Sequence, residues 1–483
     1  MPTPSVSANV ATTHNWVSSM DATLSVLEPS VGKTLTQRYG LQDMTGLIEM
    51  WDGGLNKVPV GQLYYDHFEE DWLHSIVKLD ANGGGGAGAS VTLTVAAAYQ
   101  YSYPSTAQTP YIVTGATNTM PLLNGQEIQF PNGVQARVTG ITYSAGTFVA
   151  TPKVTGESIP AVLTTDEIIV IGNSHNEQSG QPGSRNSRVF RYRNNLQIQK
   201  WDSTTSGSAM GERIWFEIPA SNGMPGGFLW MFKAQQDEFK RAKNEQAMTF
   251  LTGVKTTNTT LANIAGQEQN VTTEGLIPFV TNFGNVDTYN LVPGITLDDW
   301  ETYVTTKIDK FRGAMENGVG VSINLRRGME AFIRENMKNG AISYGMFNGD
   351  KQKYIDFGFD SFQTLGYTFH MKTLTEFNYP NALGAAGQAY ANMGIVFPME
   401  RGVANLGAGK EKTIVPPMRI NYMSSEGSGS PNGRVYSRQW EEWYTGAANG
   451  IYTGTTDEVA YHMRSHWGAE FFAPNRWLKI TGV

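Results

Sequence analysis

FLWMFKAQQDEFKRAKNEQAMTFLT, residues 228–252, decides how the rest of the chain is read. It contains neither proline nor glycine and predicts a single helix of roughly 25 residues, about 37 Å long at 1.5 Å per residue. Pro225, Gly226 and Gly227 punctuate its start, and Gly253 stands where a left-handed C-terminal cap is expected. Lys233, Asp237 and Arg241 are spaced so that opposite charges meet along one face, while Phe228, Phe232, Phe239, Ala242 and Phe250 form a broken apolar seam. Charge in the middle and apolar residues at both ends predict a helix lying across a surface, partly wet, rather than inside a closed bundle. The chain before it reads mostly as extended structure, and the chain after it as mixed α+β.

Composition bounds the possibilities. The 483 residues are enough for two to four domains with their own cores. Only 16% of residues are charged, and 53 glycines and 21 prolines indicate an ordered, strand- and loop-rich protein. The net charge of −7, without a run of Lys or Arg, argues against a basic nucleic-acid-binding module. The absence of cysteine excludes disulfides, thiolate metal sites and a cysteine nucleophile, and fits assembly in a reducing cytoplasm. MPTPSVSANVATTHNW at the start does not have the pattern of a secretory signal, and no apolar run approaches the ~20 residues of a membrane span.

Residues 1–21 are small and polar and predict a mobile arm; residues 21–55 are helical in places. Gly32-Lys33-Thr34 has the ending of a phosphate-binding loop, but Leu27 occupies the position of the glycine that the phosphate cradle needs. Tyr64–His74, YYDHFEEDWLH, gathers Asp66, His67, Glu69, Glu70, Asp71 and His74 at spacings that would put metal ligands on one helical face. The simpler expectation is an amphipathic segment with Phe68, Trp72 and Leu73 inward and the acids in water. Asn82–Ser90, NGGGGAGAS, is a linker by composition and marks the start of an inserted piece running to about Gly183. Val91–Val95 alternates with period two, Asn124-Gly125 and Asn132-Gly133 signal tight turns, and Ile168–Ile171 adds an apolar strand. Together they predict five or six short strands closed into a small barrel.

Arg185–Lys200, RNSRVFRYRNNLQIQK, surrounds Phe190 and Tyr192 with Arg185, Arg188, Arg191 and Arg193. Such a patch suits a nucleic acid strand, but within an acidic chain it fits better as an extended arm pairing with a neighbouring subunit's acids. Thr204–Gly211 reads as a turn and Ile214–Ile218 as a strand, so residues ~56–84 and ~176–220 would be two legs of one protruding arm. Further on, Thr296 caps a helix carrying Leu297, Trp300, Val304, Ile308, Phe311 and Met315, which Asn317-Gly318 would stop. A strand over Val319–Ile323 and a helix capped by Asn324 follow. Further strands are expected at Tyr354–Phe357, Tyr367–Thr373, Ile395–Phe397 and Met418–Met423, with a hinge over Asn421–Asn432. Aromatic-rich strands over Val435–Tyr444, Glu458–Trp467 and Arg476–Ile480 close the chain.

No reactive constellation stands out. His462 and His466 in HMRSH have zinc-protease spacing, but Met463 replaces the glutamate and a strand fits the stretch better. No nucleophile elbow and no dinucleotide fingerprint is present. The sequence therefore offers no catalytic, cofactor-binding or metal residues and points to a structural protein rather than an enzyme.

The order of parts carries a resemblance. FLWMFKAQQDEFKRAKNEQ, ITLDDWETYVTTKIDKFRGAMENG, VGVSINLRRGMEAFIREN and the ending from Trp467 to Trp477 resemble major capsid proteins of tailed bacteriophages with the Hong Kong 97-type fold, most of all those of crAss-like phages. The resemblance implies an α+β capsid fold with a long spine helix, an extended β-loop and an inserted small β-barrel. On this numbering it implies an N-terminal arm over 1–50, an extended loop over 51–225 with the barrel at about 85–183, and a peripheral domain over 226–317. The axial domain would then cover 318–417, and 418–483 would return to the peripheral domain. It also implies hexamers and pentamers of an icosahedral shell around double-stranded DNA, in a virion assembled in the host cytoplasm. Portal and auxiliary or head-fibre proteins would be its partners, any scaffold would be a separate protein, and no cofactor is needed. A tail, fibre or surface-layer protein is the structural alternative, and a metal-dependent hydrolase built on Asp66–His74 the enzymatic one.

Overall fold

The computed structural model describes residues 56–70, 76–96, 121–142, 145–164, 166–180, 189–220, 226–257, 271–338, 361–377, 390–399, 402–404, 413–424, 440–447 and 453–483. The expected N-terminal arm, Gly32-Lys33-Thr34, Asp71, His74, Arg185, Arg188 and the strand at 354–357 lie outside these residues.

The strand Glu458–Phe471 anchors one sheet. Along one edge it pairs antiparallel with Gln197–Ser206; along the other it pairs first with Glu441–Gly446 and then with Met418–Met423. Asn56–Val60 adds in parallel outside Met418–Met423. Asn56–Val60 and Gln197–Ser206 thus end up in one sheet, and the chain between them makes an excursion that leaves the sheet at Val60 and re-enters it at Gln197. The ten-residue strand Gln197–Ser206 absorbs the first part of the turn expected at Thr204–Gly211, which is reduced to a helical turn over Gly207–Met210.

The long helix spans Trp230–Thr252, two residues shorter at its start than the sequence predicts. Gly227–Leu229 instead pairs as a strand with Arg213–Ile218. Ala242, Ala247, Phe250 and Leu251 are buried, and Phe250 packs against Trp467 and Phe471 at ring distances of 6.4 and 5.3 Å. Polar ties fix the helix on the sheet: Trp201 Nε1 donates to Glu245 Oε2 (2.6 Å), and Gln199 Nε2 to Thr249 Oγ1 (2.8 Å). Lys233 pairs with Asp237 as the spacing predicts, but Arg241 turns to Glu238. Gly253 is not in the left-handed region. It is glycine because a Cβ there would lie 2.6 Å from the Thr249 carbonyl oxygen and 2.9 Å from that of Thr273.

The second half builds a mixed six-stranded sheet in the order Asn285–Tyr289, Leu478–Gly482, Met393–Pro398, Glu316–Val321, Tyr367–Thr373, Ser361–Thr364. The helices Leu297–Tyr303 and Ile323–Lys338 accompany it, and Trp300, 1% exposed, meets Phe369 edge-on at 5.1 Å. Thr296 and Asp299 form a reciprocal capping box at the start of Leu297–Tyr303. That helix widens into a π-turn over Val304–Ile308, tightens into a 3-10 turn over Asp309–Phe311 and stops at left-handed Arg312, not at Asn317-Gly318. Asn317-Gly318 lies inside the strand, where a Cβ at Gly318 would meet the Phe397 ring at 2.1 Å, so close packing rather than turn geometry requires glycine. The next helix begins at Ile323, with Ser322 Oγ accepting from Leu325 N–H in place of the expected Asn324 cap. The expected division at 317/318 runs through the strand Glu316–Val321, and the last strand, Leu478–Gly482, sits between strands from both sides of that division.

Inside the excursion, six strands run in the order Ile76–Lys78, Glu167–Asn173, Gln126–Gln129, Gln135–Thr142, Thr147–Pro152, Val91–Thr94. The first and last meet through a Leu79–Val95 bridge, with Asp80 N–H on Thr94 O (2.9 Å) and Ala96 N–H on Lys78 O (3.0 Å), so the sheet closes on itself. Gly125 and Gly133 of the two Asn-Gly pairs have φ of +86° and +88°. The barrel starts at Ile76, before the point near 85 that composition suggests. Asn82–Ser90 is therefore a loop between barrel strands rather than the way in. Asn82 bridges Val162, and Gly84 lets Ala161 N approach within 2.7 Å of where a Cβ would stand.

Candidate functional site

The two charged stretches singled out by sequence are brought together, against each other. Tyr64–Glu70 is a strand rather than a helix, paired antiparallel with Val189–Asn195 from Tyr64↔Asn195 to Glu70↔Val189. This ladder is the root of the excursion. A strand alternates faces where a helix would group residues three and four apart. The expected inward Phe68 is consequently 67% exposed, and His67 is turned in. The gain from ladder pairing along the whole strand outweighs the local helical spacing.

On the outer face Asp66 accepts from Arg193 through both oxygens, Nε to Oδ1 at 2.6 Å and Nη2 to Oδ2 at 2.8 Å. Arg193 is thus satisfied within its own chain, contrary to the expectation that this patch seeks a neighbour's acids. Its guanidinium also covers the Tyr64 ring at 4.4 Å. The Arg193 hydrogen bonds hold the Asp66 carboxyl below the usual range against the opposing effect of burial. With both oxygens engaged by a cation, Asp66 is not disposed to ligate a metal.

On the inner face His67 lies between carboxylates from two elements. Its Nδ1 is 3.0 Å from Glu470 Oε1, an ion-pair contact rather than an aligned hydrogen bond, and its Nε2 is 3.3 Å from Glu69 Oε1. Glu470, with its side chain 1% exposed, also receives Arg419 Nε and Asn421 Nδ2, the latter at 2.6 Å. Asn421 is therefore strand-bound and buried, not part of a hinge. Glu69 Oε1 accepts from Ala473 N–H at 2.7 Å, and the Tyr65 hydroxyl donates to Ala469 O. The imidazole is sandwiched by Tyr192 at 5.2 Å and Phe472 at 4.6 Å. Asn194 completes the seam, donating to Ala469 O (2.7 Å) and Glu274 O (3.0 Å).

Burial opposes a charge on His67, but Glu470 and Glu69 outweigh it and raise the imidazole pKa above its ordinary value of 6.5. Burial likewise pushes the Glu470 carboxyl up, and His67 and Arg419 bring it net below 4.5. The arrangement can fix a strand in register and hold a proton. A cavity of ≈ 20 Å³ beside it, lined among others by His67, Glu274 and Glu470, has room for a water and not for a substrate. Among the described residues no group of three His, Asp or Glu is arranged to hold a metal ion.

HMRSH lies on the strand Glu458–Phe471, where residues four apart are about 13 Å apart along the chain, too far to share one ion. His462 pairs with Asp202 at 2.8 Å and stacks on Trp443, and His466 is 3% exposed. Sequence spacing did not indicate Glu470, Arg419, Asn194 or Glu274. One signal was available for Glu470: it interrupts the apolar ending WGAEFFA, which marks a carboxylate that must find a buried partner.

No protein-family model and no curated protein sequence matches the chain. Among solved structures it is similar to one from Microbacterium phage Oxtober96, 10% identical over 96% of this chain and 98% of that one, with a TM-score of 0.38. The capsid of cyanophage P-SCSP1u is 9% identical over 65% and 81%, at 0.33. The holo-SrpI encapsulin complex of Synechococcus elongatus is 9% identical over 63% and 78%, at 0.29.

Proposed function

We infer that the chain is the repeating subunit of a protein shell, the major capsid protein of a tailed phage, and that it carries no catalysis. The observation that carries this reading is the excursion that leaves one sheet at Val60, supports a closed barrel, and returns to the same sheet at Gln197. Its root leaves Tyr64 and Phe68 46% and 67% exposed on the outer face. Apolar surface of that kind on the open face of the ladder gains stability when a second copy covers it. Contacts of this type, repeated about an axis, close into rings, the hexamers and pentamers of a shell.

In this reading residues 1–50 are the N-terminal arm, the excursion between Val60 and Gln197 is the extended loop, the long helix is the spine of the peripheral domain, and the axial domain is not parted from it at 317/318, where one six-stranded sheet runs through. The net negative charge suits a wall that encloses double-stranded DNA without adsorbing it. Placement with crAss-like phages rests on the sequence stretches quoted above, and the portal and auxiliary or head-fibre partners follow from the same resemblance. The test is electron microscopy of the expressed chain, alone and with the other head proteins, beside a Phe232→Glu/Phe239→Glu double variant. Shells from the wild type and none from the double variant are expected, because Phe239 packs on Trp440 and Phe232 approaches Gly227. A wild type that stays monomeric under all assembly conditions overturns the shell reading; normal particles from the double variant overturn the role of the helix.

A further inference from the structure

The ladder Tyr64–Glu70/Val189–Asn195 meets the five-stranded sheet over a seam in which charge is buried, and His67 is the group there whose charge changes near neutral pH. We propose that His67 is a protonation-sensitive latch, holding the root of the excursion against Glu470 when the imidazole is charged and loosening it when the proton is lost. The proposal rests on the geometry of the seam and goes beyond the shell reading, on which it does not depend.

Among the described residues, Tyr192 stacks on the imidazole at 5.2 Å and charged groups reach it from three strands. From its own strand comes Glu69, at 3.3 Å; from the strand Glu458–Phe471 comes Glu470, at 3.0 Å. From Met418–Met423 comes Arg419, which reaches the other Glu470 oxygen. Asp66 points to the opposite face and is taken up by Arg193. Across the small cavity stands Glu274, its carboxyl pushed up by burial, with Asn282 Nδ2 on Oε1 at 2.8 Å. Lys255 Nζ donates to Arg193 O at 2.9 Å, and burial pushes its amine down. The Tyr65 phenol is pushed well up by burial and stays neutral.

With His67 charged, Glu69 and Glu470 share two cations, His67 and Arg419. When His67 is neutral, Arg419 is the cation left on the buried Glu470, and Glu69, its side chain 21% exposed, loses its cation, so the buried carboxylate is left short of counter-charge, a costly state. The raised imidazole pKa fixes the direction. The contribution of the charged latch is fully present below about pH 6.5 and is lost as pH rises through the higher folded value. Glu470 acts oppositely: its depressed pKa gives a contribution present above about pH 4.5 and lost as pH falls through the folded value. Attachment is therefore strongest in mildly acidic solution and weakens on the alkaline side.

Hydrogen exchange by mass spectrometry, corrected for the intrinsic pH dependence of exchange, tests this from about pH 5.5 to 8.5. Peptides covering 64–70 and 189–195 should open more with rising pH, by about tenfold for each unit that the imidazole pKa is raised. Barrel peptides covering 126–142 should stay flat. His67→Gln should abolish the rise and leave the ladder open to a similar extent at every pH. A flat wild-type ladder, or an unchanged rise in His67→Gln, overturns the latch. Should His67→Gln not fold, Glu69→Gln decides: the midpoint must move to lower pH, and an unmoved midpoint overturns the latch equally. None of these readouts requires a particle, so failure of the latch and failure of the shell reading are separable.

Discussion

The inside of the barrel is lined by Val77, Leu93, Ile128, Phe130, Phe148 and Ile168, all at most 2% exposed. A few residues earlier, where the same excursion is rooted, the seam buries Glu470 and Asn421 and leaves His67 only 11% exposed. One end of the arm is held by apolar packing among neighbours in sequence, the other by charges drawn from strands hundreds of residues apart. Apolar packing is undirected and tolerates small shifts; a buried carboxylate shared by an imidazole, a guanidinium and an amide permits a single register. The contrast implies that the barrel can hold together by itself, while the root depends on the body being folded.

Three changes probe that contrast. Phe148→Ala removes a ring from the barrel core and should cost the barrel about 4 kcal/mol. None of the 11 tryptophans lies between residues 76 and 173, so an early melting step should appear in far-ultraviolet circular dichroism and be absent from tryptophan fluorescence. A shared transition in both signals would show that barrel and body fold as one unit. Arg419→Ala leaves Glu470 without one of its cations and should cost about 3 kcal/mol, seen this time in tryptophan fluorescence during urea unfolding. A loss below about 0.5 kcal/mol would mean that His67 suffices for Glu470. The smallest effect is expected at Lys310, which reaches Glu167 of the barrel at 3.5 Å from a side chain that is half exposed. Lys310→Ala should change stability by less than about 1 kcal/mol, and a larger loss would show that the barrel leans on the body.

The same division explains what could be read from sequence. Features set by neighbours in the chain were legible: the Thr296 cap, the two Asn-Gly turns, the alternation of Val91–Thr94, and most of Trp230–Thr252. Features decided by distant partners were not. YYDHFEEDWLH has helical spacing, yet pairing with Val189–Asn195 makes its first seven residues a strand. Asn317-Gly318 and Gly253 look like stops, yet the first serves the close approach of Phe397 and the second that of Thr249 and Thr273. His67 and Glu470 are 403 positions apart, and periodicity cannot carry such a relation.

The way the barrel is joined to the ladder has one more consequence. Its first strand, Ile76–Lys78, and its last, Glu167–Asn173, are antiparallel partners, so the chain enters and leaves the barrel side by side. Along the chain, Glu70↔Val189 is the ladder pair nearest the barrel. The barrel is thus a cassette on a two-stranded stem. A foreign domain whose own ends lie together could be spliced between those positions, and the body would meet the same stem as before.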